Sequence, residues 1–221
     1  SKSSVRLLEI VLTECDRLNK IVGDFLVYAG PRPLRLQTID VVRIVRDTVE
    51  LYKNNPEFQS HHVIKLHSPP RAPCSADPDL FRQLVWNIIQ NAVRAMPRGG
   101  KLSIRIAADD SMVRLAFKDE GVGMTADEKS RLFEPFHSGF KKGVGLGMAI
   151  VYQVVEQHHG QIDVQSDPGE GTLIDISLPR SADLVTLESG SQVDLTRVGQ
   201  DATAVQVSAP LTAAGGASEK S

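Results

Sequence analysis

The stretch Asp79–Met96, DLFRQLVWNIIQNAVRAM, constrains the fold more than any other part of the chain. Leu80, Leu84, Ile88 and Val93 recur at near-helical spacing, and Val85, Ile89 and Ala92 widen the apolar stripe. The spacing therefore predicts one amphipathic helix with a broad face to bury. Asp77 is placed to cap it, Pro78 fits its first position, and Pro97-Arg98-Gly99-Gly100 ends it. Asn87 and Asn91 are four apart, so they stand one turn from each other on the same side. An amide on so apolar a helix needs partners. Two in register fit either core-bonded amides or a shared polar object, such as a metal ion with phosphates, and the helix alone does not choose.

Around this helix the sequence alternates helices and strands. Ser4 to Ala29 reads as a long helix whose Leu8, Val11, Cys15, Leu18, Val22, Phe25 and Ala29 fall three and four apart, a coiled-coil-like seam that calls for a partner helix. That partner is expected to be upstream sequence, a second copy of the chain, or both. Gly30-Pro31-Arg32-Pro33 stops the helix and starts a stiff linker, 31–36. Leu36–Ile39 is a strand candidate, and Asp40 caps a helix carrying Val42, Val45 and Val49. His62–His67 alternates as a strand, and a short segment near Ala72–Ser75 leads into the amide-bearing helix. Lys101–Ala107 and Met112–Lys118 form a hairpin, Ala126–Leu132 a short helix, and Leu146–His158 a longer one. Gln161–Ser166 and Thr172–Leu178 form a second hairpin. This order predicts an α+β two-layer sandwich over 37–180. From Arg180 onward there is no Phe, Tyr or Trp, and 181–221 reads as a disordered tail.

Composition excludes some functions. With 25 Lys and Arg against 27 Asp and Glu, the net charge is −2, which argues against nucleic acid as the main partner. No apolar run approaches the roughly 20 residues of a membrane span, so membrane contact is expected only if upstream sequence supplies it. Cys15 and Cys74 show neither metal spacing nor a disulfide framework, as expected of reduced thiols in the cytoplasm. The chain opens inside a helix, so a fragment of a longer protein is expected, with any membrane anchor upstream.

Three glycine clusters carry candidate chemistry. Asp119-Glu120-Gly121-Val122-Gly123 puts a carboxylate at a strand end beside glycines, where it can accept hydrogen bonds from a ligand such as an adenine amino group. Gly143-Val144-Gly145-Leu146-Gly147 leads into a helix, a setting in which backbone amides bind anions. It matches neither the dinucleotide fingerprint nor a P-loop. Lys141 and Lys142 precede it, and the sequence does not choose between them as phosphate contacts or surface lysines. Gly169-Glu170-Gly171-Thr172 sits in a hairpin turn.

In combination, Asn87/Asn91, Asp119-x-Gly121-x-Gly123, Phe133/Phe136, Gly143-x-Gly145-x-Gly147 and Gly169-x-Gly171-Thr172 resemble the ATP-binding domain of sensor histidine kinases, the GHKL fold, over about Leu36 to Pro179. The helix at 1–30 resembles the second helix of the kinase dimerisation hairpin. Asn-Ala-Val-Arg-Ala-Met at 91–96 and Leu-Phe-Glu-Pro-Phe at 132–136 look most like nitrogen-regulation-type kinases. The resemblance implies Mg²⁺ on Asn91, with Asn87 facing the phosphates and Arg94 one turn on, at a phosphate or on the surface. It implies an adenine contact at Asp119, close approach at Gly121 and Gly123, and help from Thr172. Gly143, Gly145 and Gly147, with Leu146 among them, would hinge a lid and offer amides to the triphosphate, and Phe133 and Phe136 would anchor that lid. A homodimer through the N-terminal helix and a response-regulator receiver domain are the implied partners.

Two departures stand out. Ser138-Gly139-Phe140 replaces the Thr-Thr-Lys common after the second phenylalanine. No histidine here precedes Asp or Glu, so the phospho-acceptor is absent; His61, His62, His67, His137, His158 and His159 read as surface or capping residues. The implied activity is transfer of the ATP γ-phosphate to a histidine on an upstream helix, without autophosphorylation of this chain. A GHKL-type ATPase is the alternative, but such enzymes put Glu where Asn87 stands, and Asn cannot act as base toward water. A nucleotide-binding regulatory module is a further alternative, supported by the altered lid.

Overall fold

The computed structural model describes residues 33–137 and 145–180, with Arg6, Val11, Leu12, Cys15, Leu18, Val22, Gly23 and Gly30 besides. The other positions of 1–32, residues 138–144 with Lys141, Lys142 and Gly143, and residues 181–221, where the sequence leads one to expect a long helix, a lid and a tail, lie outside the described residues. Among the described residues before Gly30, all seven are helical and exposed. They include four positions of the expected seam, Val11, Cys15, Leu18 and Val22.

The chain forms β1 (Gln37–Asp40), α1 (Val41–Lys53), β2 (His62–His67), β3 (Pro73–Ala76), α2 (Pro78–Ala95), β4 (Gly100–Ala108), β5 (Met112–Asp119), α3 (Ala126–Ser130), α4 (Gly147–Gln157), β6 (Gln161–Ser166) and β7 (Thr172–Pro179). One sheet has the order β2-β4-β5-β7-β6, with β2 and β4 parallel and every other pair antiparallel. β1 and β3 form a separate antiparallel pair. The short helix stops at Ser130, before the expected Leu132; a capping box between Thr125 and Glu128 closes its start, and Arg131 stands at its C-cap.

Period-2 alternation divides the large sheet into two faces. Leu102, Ile104, Ile106, Val113, Leu115, Phe117, Ile174, Ile176 and Leu178 point inward and are buried. Arg105, Arg114 and Lys118, one step out of phase, are exposed. The helices cover the inner face, so this is the expected two-layer α+β sandwich. Helix α2 packs against both α1 and α4 and rests on β4 and β5. Its Leu84, Val85, Ile88 and Ile89 are buried in that core. Truncating one such side chain to alanine costs about 2–5 kcal/mol. Among the described residues, no helix is long and apolar enough to cross a membrane.

Candidate nucleotide site

Helix α2 is fixed at its start from several directions. Asp77 Oδ1 accepts from the amides of Asp79 (3.0 Å) and Leu80 (3.1 Å), and Oδ2 accepts from the Arg35 amide (3.1 Å). The Asp77 amide donates to His158 Nε2 at 2.9 Å, and His158 Nδ1 lies 2.7 Å from the Val154 carbonyl. Because Nε2 accepts, the proton sits on Nδ1, and the ring is neutral. Burial pushes the His158 pKa below its ordinary value. This histidine is buried rather than on the surface, and it sits at the C-cap of α4, as the capping reading expects; its ring also ties the end of α4 to the start of α2.

The two amides on α2 part company. Asn87 is buried and donates to the Gly147 carbonyl at 3.2 Å, lacing α2 to the first residue of α4. Asn91 is half-buried, and its side chain makes no hydrogen bond to a described residue. Arg94 is engaged elsewhere: its Nε and Nη2 grip Glu57, the shortest contact being 2.8 Å. Among the described residues, no group of three or more His, Cys, Asp or Glu could hold a metal ion. A single amide oxygen suits Mg²⁺, which takes oxygen ligands and draws most of them from phosphates and water.

Around Asp119 the chain is tightly knitted. This carboxylate is buried at the end of β5, and its Oδ1 accepts from the amides of Gly121 (2.8 Å) and Thr172 (3.2 Å). Oδ2 accepts nothing from another described residue. Burial raises the Asp119 pKa above the ordinary value, and the backbone bonds and the Lys118 charge only partly offset that. Gly171 has φ +73°, and a Cβ there would fall on the Asp119 carbonyl oxygen. Gly121 passes so close to α2 that a Cβ would lie 2.8 Å from Ala95 Cβ. The next amide, of Val122, donates to the Ala95 carbonyl at 2.9 Å.

Ser166 completes this corner. Its hydroxyl donates to the Gly171 carbonyl (2.9 Å) and accepts from the Met124 amide (2.9 Å). With its proton so used, the 3.1 Å contact to Thr172 Oγ1 must have Thr172 as donor. Thr172 Oγ1 then retains only acceptor capacity. The corner thus offers oxygen acceptors, at Asp119 and Thr172, to whatever enters it.

Helix α4 begins differently. Leu146 stands at its N-cap without a side-chain cap bond, and its first turn has no acidic residue. Leu146 is buried, so only its backbone can serve a ligand. The carbonyl of Gly145, which has φ +76°, accepts from the Phe136 amide at 3.0 Å. Phe133, expected to anchor the lid, packs its ring 5.2 Å from that of Tyr152. Phe136, expected to share that role, is 62% exposed at φ +63°.

Sequence reasoning missed Ser166 and Glu57. Ser166 is an ordinary small residue at a strand end, and its partners at Met124 and Gly171 are set by tertiary register. Glu57 lies 37 residues from Arg94, and nothing local marks the pair.

Residues 76–182 match the family described as histidine kinase-, DNA gyrase B-, and HSP90-like ATPase. The chain is 34% identical over 171 residues to sporulation kinase E of Bacillus subtilis, covering 77% of this chain and 23% of that kinase. It is 33% identical to the sensor histidine kinase ZraS of Klebsiella oxytoca, covering 79% of this chain and 38% of that protein. The chain therefore spans less than half the length of the curated relatives it matches. Among solved structures, full-length ShkA in complex with AMPPNP superposes with a TM-score of 0.66 at 27% identity, covering 76% of this chain and 37% of that one. Fold, motif order and relatives agree: this chain carries a histidine kinase-, DNA gyrase B- and HSP90-like ATPase domain of the sensor histidine kinase type.

Proposed function

We propose that the chain is the ATP-binding catalytic part of a two-component sensor kinase, which presents the γ-phosphate of Mg-ATP to a histidine on a helix outside this sequence. The observation that carries the reading is the acceptor-only corner at Asp119 and Thr172. The adenine amino group is a donor, and Asp119 Oδ2 has unused acceptor capacity toward it. Gly121 and Gly123 let the backbone pass close to the ring. At the other end, Asn91 supplies an amide oxygen for Mg²⁺, while the uncapped start of α4 at Leu146 and Gly147, with Gly145, offers amides to phosphate oxygens. Mg²⁺, when bound, neutralises phosphate charge. Asn87 holds α4 in place beside the phosphates, and with its NH₂ given to Gly147 it has no group that can deprotonate water. Lys141, Lys142 and Gly143 belong to the proposed lid. Arg94 is left out of the resting phosphate set. AMPPNP in the ShkA complex, an ATP analogue, supports the choice of nucleotide.

Residues 1–30 are proposed as half of a dimerisation hairpin, 31–36 as a linker and 181–221 as a tail. Support for a homodimer comes from the exposed apolar seam, where Leu18 is 58% exposed. A receiver-domain partner is proposed from the likeness to sensor kinases, and a nitrogen-regulation-type ancestry from the motifs at 91–96 and 132–136. The test is calorimetry with Mg-ATP, followed by labelled ATP with and without a supplied acceptor hairpin. Binding, with label only on the hairpin, is expected. Label on this chain alone, or rapid ATP hydrolysis without an acceptor, would contradict the reading.

A further inference from the structure

The ion pair between Arg94 and Glu57 bears on the phosphate end of the site. Successive helical residues turn by about 100°, so on α2 Arg94 stands about 20° from Asn87 and about 60° from Asn91. It shares the stripe that carries both amides, yet its guanidinium is turned to Glu57. That carboxylate is held ready for it. The Glu57 amide donates to Asn55 Oδ1 at 2.9 Å, just beyond the end of α1. Its Oε2 also receives the Tyr52 hydroxyl (3.4 Å) and the Gln90 amide (3.3 Å). Tyr52 is fully buried and packs its ring edge-on to Trp86 at 4.8 Å, which fixes the hydroxyl.

The side chains of Arg94 and Glu57 remain 24% and 39% exposed. A pair so exposed contributes about 1 kcal/mol or less, so it can exchange partners. A triphosphate carries more negative charge than one carboxylate and competes for the same guanidinium fork. We propose that Glu57 sets the nucleotide affinity of this site: it neutralises Arg94 and holds it back, and Arg94 becomes a phosphate ligand only when Glu57 releases it. This rests on the Mg-ATP reading above. Glu57 acts through Arg94 and does not itself touch nucleotide.

The test is a double-mutant cycle on the whole chain, with Mg-ATP and adenosine titrated by calorimetry into wild type, Glu57→Gln, Arg94→Gln and the double variant. Glutamine keeps a carbonyl for Tyr52 and Gln90, and melting curves check the fold. Removing the carboxylate should tighten Mg-ATP binding about 5-fold, while Arg94→Gln alone should change it less than about 2-fold. The double variant should return to within about 2-fold of wild type, and adenosine affinity should be the same throughout. Unchanged or weaker Mg-ATP binding by Glu57→Gln, with normal binding by wild type, would overturn this inference and leave the nucleotide reading standing. Tighter adenosine binding would also overturn it, since adenosine has no phosphate. Should Glu57→Gln not fold, Arg94→Gln alone decides: a loss beyond about 5-fold means that Arg94 already contacts phosphate. Wild type that binds no Mg-ATP overturns both.

Discussion

Helices α2 and α4 pack side by side, and their starts are finished in opposite ways. At α2 the exposed amides meet Asp77, Pro78 takes the first position, and Asp79 adds charge to the first turn. At α4 no side chain caps the amides, no acid lies in the first turn, and the first residue is glycine. A helix start carries about half a positive charge and several unpaired N–H groups. Omitting a cap forgoes about 1 kcal/mol. The start of α2 is finished by the protein for its own stability. That of α4 has no such cap among the described residues, which is what the proposed phosphate site beside Asn91 requires.

The largest way to break this contrast is to give α4 the charge it lacks. A Cβ at Gly147 would come no closer than 3.7 Å to Asn87, so a side chain fits there. Gly147→Asp should leave the melting temperature equal or higher, since an acid suits a helix start. Mg-ATP affinity should fall about 30-fold or more through repulsion of the phosphates. Unchanged affinity by calorimetry would place the anion elsewhere.

The reverse change at α2 is expected to act on stability alone. Asp77→Ala removes the cap and the tie to Arg35, and should lower unfolding free energy by about 1–2 kcal/mol in urea titrations. Nucleotide affinity of the folded fraction should match wild type.

A smaller effect sharpens the comparison through pH. His158 must be neutral to accept from the Asp77 amide, and burial lowers its pKa. Asp77 itself and His159 act on the ring in opposing directions, Asp77 favouring the charged form. The unfolded chain then takes up a proton first, near its pKa of about 6.5. The stability contribution is fully present above that pH and is lost as pH falls toward the lower folded-state pKa. Melting curves from pH 7.5 downward should show a fall that His158→Gln lacks.

Much of this was legible in the sequence because it is local. Period, capping residues and turn glycines placed α2, both hairpins and α4 within one or two residues, since each signal acts over a few positions. The candidate site was legible only as motifs. That Asn87 is committed to Gly147 depends on a contact 60 residues away, and that Arg94 faces Glu57 depends on how the turn after α1 folds back. Phe136 matched its motif position, but it is exposed, with positive φ. Ser166 has no signature at all; it matters because three strand and loop ends converge on one hydroxyl.

The central claim is that Asp119 serves the fold through Oδ1 and the ligand through Oδ2. Its burial pushes the pKa up, so at neutral pH the ionised carboxylate weighs against stability: that contribution is present below its unfolded pKa and lost as pH rises through the folded one. Asp119→Asn keeps an Oδ1 to accept from Gly121 and Thr172 and turns the other oxygen into an NH₂ donor. Calorimetry on this variant at pH 7.5, beside its melting curve, is the most direct test. Equal or higher thermal stability is expected, with Mg-ATP affinity reduced by about 10- to 100-fold as donor meets donor. An unfolded variant, or one that binds Mg-ATP as wild type does, would contradict the account.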